Sequence, residues 1–295
     1  MNNTLLHETK IHGTADFPYI VYHGKIPDFI HSYPLHWHEE TEIIYVTKGC
    51  MKITVWSNTY QVHEGDIIIL MPHTIHAIEQ LDSRHAEYFN IVFHFSILEK
   101  PEENSRYDKY LKPFLTHEKS VNCYERKGSE LNTRLTPLLL SLIEHRRDSY
   151  TTCEYLVKSN LFMIMHDLNQ ACINADKNEI LLQENYAKLK TALYHVQNSY
   201  AQNITIKEAA ALCGFSESHF MKLFKELTGM SFTAYLVNYR LELSAKQLLE
   251  TDQKIIDIAT NCGFNNHSYF TRAFLKKYGV TPARYRQTYQ KPLPM

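Results

Sequence analysis

The stretch Ala210-Ala211-Leu212-Cys213-Gly214-Phe215 returns 49 residues later as Ala259-Thr260-Asn261-Cys262-Gly263-Phe264. Beyond it the offset becomes 50, with Phe220, Phe224, Gly229, Ser231 and Tyr235 answered by Phe270, Phe274, Gly279, Thr281 and Tyr285. A repeat of this kind marks a supersecondary unit used twice. Each copy has the parts of a helix-turn-helix. Ala210 and Ala259 are small enough for a close helix crossing, and Gly214 and Gly263 can take the positive φ of a tight turn. A buried aromatic follows (Phe215, Phe264), then a polar residue able to cap the next helix: Ser216 in the first copy, Asn265 or Asn266 in the second.

That next helix has an apolar inner face in each copy, made of Phe220, Leu223, Phe224 and Leu227, then of Phe270, Ala273, Phe274 and Tyr278. Its outer face presents Ser218, Met221, Lys222 and Lys225 in the first copy and His267, Ser268, Thr271, Arg272 and Lys276 in the second, side chains suited to a DNA major groove. Between the copies, Ser231–Glu250 reads as one amphipathic helix about 30 Å long, close to the ~34 Å between successive major grooves on one face of B-DNA. Charge agrees. Residues 184–295 hold 14 Lys and Arg against 8 Asp and Glu, a net +6, whereas residues 1–183 hold 17 against 24, a net −7, within a chain of overall charge −1.

The patterns Gly-Phe-Ser-x-Ser-x-Phe-x-x-x-Phe-Lys-x-x-x-Gly-x-Ser-x-x-x-Tyr at 214–235 and Gly-Phe-x-x-x-x-Tyr-Phe-x-Arg-x-Phe-x-x-x-x-Gly-x-Thr-Pro-x-x-Tyr-Arg at 263–286 resemble the signature of AraC-type transcription regulators over residues 186–287. The resemblance implies a seven-helix domain with two helix-turn-helix units. It also implies double-stranded promoter or operator DNA as partner, asymmetric sites, and most often activation of transcription together with RNA polymerase. Phe232, where Pro is usual, and Leu275, where Lys is usual, depart from the pattern, and neither is assigned to the reading face.

Toward the N-terminus, Glu42–Val46, Lys52–Trp56, Asp66–Leu70 and Tyr88–Phe93 are β-branched or aromatic runs punctuated by Gly49 and Gly65, which predicts a small β-barrel or sandwich. Residues 129–148 and 152–173 carry apolar residues at helical spacing (Leu135, Leu138, Leu139, Leu142, Ile143; Leu156, Leu161, Met165, Leu168), predicting an antiparallel helix hairpin whose first helix begins late or kinks at Pro137. Its surplus apolar face predicts a homodimer. Asn174–Glu184 reads as a polar linker. The expected organisation is α+β and multidomain, with a cupin-like barrel over 1–104, a helical dimerisation region over 105–175 and an all-α DNA-binding domain over 184–290.

Within the barrel, His36-Trp37-His38-Glu39-Glu40-Thr41-Glu42, Gly49, and later Pro72-His73-Thr74-Ile75-His76 look like the two halves of a cupin motif, the second half being one residue shorter than in cupin enzymes. His36 and His38 share a strand face. Together with Glu42 and His76 they form a set suited to a divalent metal, or, with no metal, to bonding one another, the backbone or an effector. His36, Trp37, His38, Glu42 and His76 are the candidate effector residues. By resemblance to sugar-responsive regulators the effector is a carbohydrate, on which Tyr22, Tyr33, Trp37, Tyr45 or Trp56 could stack. The alternative is a metal-dependent cupin enzyme, or a metal sensor, fused to a DNA-binding domain. No catalytic residue and no cofactor beyond that possible metal is expected. The chain has no run of eighteen apolar residues, and Met1–Lys10 lacks the apolar core of a secretory signal, so a cytoplasmic protein without a membrane partner is expected. Six cysteines (Cys50, Cys123, Cys153, Cys172, Cys213, Cys262) without a Cys-x-x-Cys pair fit reduced thiols in the core.

Overall fold

The computed structural model describes residues 8, 10–27, 32–56, 58–82, 84–99, 106–116, 118–148, 150–174 and 177–290, and they divide into two units between Gln183 and Glu184. The first unit holds strands β1 (Tyr19–Ile26), β2 (Ser32–His36), β3 (Thr41–Val55), β4 (Asn58–His63), β5 (Ile67–Leu70), β6 (His76–Gln80), β7 (Ala86–Phe93), β8 (Lys119–Ser120), β9 (Tyr124–Glu125) and β10 (Ile173–Asn174). It also holds helices α1 (Arg106–Tyr110), α2 (Lys112–Leu115), α3 (Glu130–Glu144) and α4 (Tyr150–Ala171).

β3 is the strand on which the barrel turns. Its first half pairs with β7 and β5, and its second half pairs with β4 and β6, with β2 on the far side of β6, all antiparallel. Gly49, expected to separate two strands, instead lies within one, just past a bulge. The register with β7 slips between Val46 and Lys48, Gly49 has φ +75°, and a Cβ there would lie 1.9 Å from the His85 carbonyl oxygen. Only glycine fits a backbone that approaches its neighbour this closely.

Side chains alternate along β3, β5 and β7, and both faces are covered. Ile43, Ile67, Ile69, Ile91 and Phe93 lie in one core with Leu135, Leu139 and Leu142 of α3 and Val157, Leu161, Ile164 and Leu168 of α4. Ile44, Val46, Ile68, Leu70 and Tyr88 face Met51, Ile53, Val62 and Ile78 in the core between the two halves of the barrel. Double burial explains why these strands read as continuous apolar runs rather than as alternation. The hairpin thus shares a core with the sheet, and an Arg134–Asp167 ion pair links its two helices. α3 does not begin late: the Ser129 side chain caps it by accepting from the Asn132 amide, and Pro137 lies inside it.

The expected linker is largely helical. α5 (Lys177–Ser199) begins three residues after Asn174 and runs across the division between units, while residues 175–176 lie outside the described residues. The segment is polar, but it contains neither Gly nor Pro, and its Glu, Leu, Gln, Lys and Ala residues are good helix formers.

The second unit continues with α6 (Ile206–Leu212), α7 (Glu217–Thr228), α8 (Phe232–Glu250), α9 (Ile255–Asn261), α10 (His267–Tyr278) and α11 (Pro282–Tyr289). With α5 these make seven helices among the described residues. Ser216 caps α7 and Asn266 caps α10, each accepting from the amide three residues on. Gly229 and Gly279 end those helices in the left-handed conformation at φ +73°. Phe270, Phe274, Phe264 and Tyr285 share the core of the second copy. Phe215, expected to be buried, is only half-buried; its ring meets His219 at 4.9 Å. Phe232, in place of the usual Pro, is buried at the start of α8 with its ring 5.3 Å from those of Phe220 and Phe224.

The two turn glycines are constrained differently. At Gly214 (φ +70°) an added Cβ meets nothing within 4 Å, whereas at Gly263 (φ +83°) it would lie 2.9 Å from the Ala201 Cα and carbonyl oxygen. Gly214→Ala is therefore expected to cost about 1–2 kcal/mol, the penalty for a Cβ in this region, and Gly263→Ala clearly more, because the Ala201 backbone must move. Urea unfolding of the two full-length variants checks this, and equal losses would contradict it.

Candidate functional site

Two sets of polar side chains stand out, one inside the barrel and one on the surface of the second unit. In the barrel, His36 ends β2 and His76 begins β6, and the two are register partners across those strands. Glu42, on β3, shares the side of the strand that bears Ile44 and so points between the two halves of the barrel. His38, just past β2, completes the group. His38 Nε2 lies 2.9 Å and His76 Nε2 3.2 Å from the same oxygen, Glu42 Oε2. The His36 and His76 rings are 4.1 Å apart. His38, Glu42 and His76 are each less than 5% exposed.

Charge is balanced locally. Burial by itself disfavours the His38 imidazolium, but the hydrogen bonds and charges of Glu40 and Glu42 outweigh it and push its pKa up to about 10. The stabilisation from this shift is complete below the ordinary histidine value of 6.5 and is lost as pH rises through about 10. For Glu42, burial works toward the neutral acid, and the imidazoles of His38 and His76 overcome it, holding the carboxyl well below its usual range. That contribution is present at neutral pH and is lost as pH falls through the lowered value.

A second layer of residues, which spacing alone did not indicate, surrounds these four. His38 Nδ1 faces Glu40 Oε2 at 3.4 Å. His76 Nδ1–H donates to the Thr74 carbonyl at 2.9 Å. Glu8 Oε2 lies 3.6 Å from His36 Nε2 and 3.7 Å from His12 Nε2, and His12 Nδ1 is 3.2 Å from the Tyr22 hydroxyl. Glu40 could have been noticed in the run His36–Glu42, two residues from His38; Glu8 and His12 reach the cluster only through tertiary structure. Trp37, at the intervening position, is buried with its ring 5.8 Å from that of His73. Of the other aromatics, Tyr22 approaches the cluster through His12, Tyr33 is exposed, and Tyr45 and Trp56 pack against the two cores.

The donor set fits a divalent metal ion. One donor atom from each of His36, His38, Glu42 and His76 lies within 4.8 Å of the others. The Thr74 bond anchors His76 Nδ1 and turns the buried Nε2 inward, 3.2 Å from Glu42 Oε2. Anchoring one ring nitrogen to a carbonyl while the other is turned inward is how proteins orient metal-binding histidines.

On the second unit, Ser218, Met221, Lys222 and Lys225 of α7 and His267, Ser268, Arg272 and Lys276 of α10 are exposed, and Thr271 is half-exposed. Positions 218, 221, 222 and 225 form one stripe, as do 268, 271, 272 and 275. This corrects the placing of Leu275: it is the counterpart of Lys225, is 44% exposed, and stands on the stripe itself. The two faces therefore differ, with Leu where the other has Lys. The nineteen-residue α8 between the copies spans about 28 Å. Arg240 donates to the Tyr200 and Gln202 carbonyls, and Arg286 to the Leu248 and Gln253 carbonyls. Each arginine thus fastens the chain entering one helix-turn-helix; the recurrence of Tyr-Arg at 239–240 and 285–286 is the sequence signal for it.

Comparison with known proteins matches both units. The family model for an AraC-like ligand binding domain covers residues 27–148, and that for a helix-turn-helix domain covers 209–288. The chain is 22% identical over 287 residues to the uncharacterized HTH-type transcriptional regulator YdeC of Bacillus subtilis (strain 168), spanning 96% of each chain. It is 23% identical over 261 residues to the HTH-type transcriptional activator RhaR of Mannheimia succiniciproducens, spanning 88% of this chain and 89% of that one. Among solved structures, the C-terminal domain of AraT, a response regulator from Geobacillus stearothermophilus, is 29% identical, with 37% of this chain and 90% of that one covered at a TM-score of 0.35. With an AraC-like ligand-binding domain followed by a helix-turn-helix DNA-binding domain, the chain belongs to the AraC-type transcription regulators.

Proposed function

We propose that this regulator places α7 and α10 in successive major grooves of a promoter, and that a small molecule held in the barrel at His36, Trp37, His38, Glu42 and His76 sets its occupancy there. The observation that carries the proposal is the pair of exposed, equivalently placed stripes separated by a helix about 28 Å long, a length of the order of the ~34 Å turn of B-DNA. Lys222, Lys225, Arg272 and Lys276 supply positive charge for phosphates or guanine edges. Met221 and Leu275 supply apolar contacts of the kind that thymine methyl groups accept.

A ligand shifts such an equilibrium only if it binds one state of the protein more tightly than another. The four polar residues of the cluster, three of them buried and the set held in place by Glu8, Glu40 and Thr74, are suited to that, since a change in the charge or contacts of a buried group cannot be absorbed by solvent. A carbohydrate effector follows from the likeness to sugar-responsive regulators, and an activating role in concert with RNA polymerase accords with the relative named as an activator. On this reading the barrel binds its ligand without turning it over, and the protein works in the cytoplasm, beside the DNA. Among the described residues no helix is long and apolar enough to cross a membrane. The hairpin is the proposed dimer surface: Leu140 of α3 and Tyr155, Phe162 and Met163 of α4 are exposed, and a surplus apolar stripe of this kind commonly pairs with its own copy.

Lys222→Ala and Arg272→Ala should each weaken binding to an operator selected from random duplexes while leaving the circular dichroism spectrum intact. If Arg272 makes a bidentate contact to guanine, its loss costs about 1–3 kcal/mol and relaxes specificity at one position, whereas a phosphate contact gives a uniform loss. Unchanged affinity in both variants at fixed salt would refute the assignment.

Sedimentation equilibrium should find the full chain dimeric at micromolar concentration, and Phe162→Glu should shift it toward monomer. A monomer with and without DNA would remove the hairpin from the proposal.

A further inference from the structure

The two helix-turn-helix units match in construction and differ in charge. Residues 205–230, the first copy, hold three basic side chains (Lys207, Lys222, Lys225) and three acidic ones (Glu208, Glu217, Glu226), a net charge of zero. Residues 254–280, the second, hold four basic side chains (Lys254, Arg272, Lys276, Lys277) against the single acid Asp257, a net +3 with the histidine neutral. The contrast is sharpest on the outer faces of the two recognition helices. Position 217 is Glu where 267 is His, and 226 is Glu where 276 is Lys, all four exposed. Glu226 Oε1 also lies 4.0 Å from the Nζ of Lys222, one turn earlier on α7. Lys277 is not part of the exposed set, since its Nζ donates to Glu242 Oε1 at 2.8 Å and to the Asn238 carbonyl at 3.2 Å. The outer face of α7 thus carries two lysines and two glutamates, whereas that of α10 carries Arg272 and Lys276 and no acid. The trend continues past the copies: Arg284, exposed in the first turn of α11, answers Ala234 in the first turn of α8.

Phosphates attract these two faces to different degrees. Each Lys or Arg that neutralises a phosphate releases a counterion, a gain that is independent of base sequence and steepens the salt dependence of log affinity by about 0.9. On α7 that gain is opposed, because a groove that draws Lys222 and Lys225 to its edges brings Glu217 and Glu226 toward the same phosphates. The first copy therefore binds well only where base edges supply the missing attraction. We propose that the second helix-turn-helix holds the duplex by charge whatever its sequence, and that Glu217 and Glu226 make the first the discriminating copy by suppressing its attraction to unmatched DNA. The proposal rests on both helices entering the major groove, as above, and assigns them unequal parts. Two copies with the same charge would both cling to any duplex; cancelling the charge of one keeps the hold on DNA and leaves the choice of site to base contacts.

The test measures the full-length protein against an operator selected from random duplexes and against an unrelated duplex, at salt concentrations from about 50 to 200 mM. Arg272→Gln combined with Lys276→Gln should lose affinity for both duplexes and flatten the plot of log affinity against log salt by about 2. Glu217→Gln combined with Glu226→Gln should gain affinity for the unrelated duplex, roughly threefold to tenfold, the scale of removing two exposed like charges. The ratio between operator and unrelated DNA then narrows. An acid in the first turn of α7 also favours the helix, but losing that support can only weaken binding, so a gain reports the charge presented to DNA. A salt slope unchanged by the Arg272 and Lys276 substitutions would overturn the proposal, as would unrelated DNA bound no more tightly without the two glutamates. Methylation of the operator guanines, read with the same wild-type protein, separates this from the two-groove reading. Two contacted grooves together with either failure remove only the division between the copies, whereas one contacted groove removes both readings.

Discussion

A carboxylate as deeply buried as that of Glu42 is tolerated only when opposite charge is fixed beside it, since desolvation costs several kcal/mol per ion. The barrel is arranged to supply that charge. β3 brings Glu42 to the space between its two halves, and β2 and β6 meet there with His36 and His76 in register, while His38 follows from the end of β2. The bulge between Val46 and Lys48, followed by Gly49 in the left-handed conformation, lets one strand serve both halves, so the position of Glu42 and the closure of the barrel are properties of the same fifteen residues. Removing one partner of such a pair leaves an uncompensated charge in the interior, which typically costs about 3–5 kcal/mol. Stability therefore depends on this cluster, and a ligand bound there, as proposed, would act on it directly.

The second unit meets a different constraint. Two helices must leave a turn at a fixed angle so that an exposed face is presented, and the chain does this with local chemistry: a small residue at the crossing, a left-handed glycine, and a capping Ser or Asn. Arg240 and Arg286 add a tertiary clamp, satisfying carbonyls at the entrance to each copy. The repetition of both devices fixes two reading faces of the same construction, and the difference between Lys225 and Leu275 gives them different chemistry. A pair of faces of that kind is suited to an asymmetric DNA site.

The readable parts of the sequence were those set by neighbours in the chain. Turn glycines, caps and helical stripes are local, and so the helix-turn-helix units and their exposed residues could be placed from the repeat alone. His36, His38 and Glu42 are legible for the same reason, being close together along the chain. What escaped depends on distant partners. Gly49 looked like a strand end because nothing local reveals the His85 carbonyl it must pass. The segment after Asn174 looked like a linker from its polarity, although its residues favour a helix. Phe215 and Phe264 occupy equivalent positions but differ in burial, Phe264 lying in the core of the second copy and Phe215 half-buried beside His219. Leu275 departs from the usual pattern, yet its spacing alone puts it on the exposed stripe of α10.

The central claim is that one chain reads DNA with two helices a turn apart. Methylation interference on a selected operator tests it most directly, with the intact protein and guanines modified at N7 in the major groove. The account predicts interfering positions in two clusters for each bound protomer, centred about 10 base pairs apart on one face of the duplex. A single cluster per protomer, or two that fall on opposite faces, would contradict it.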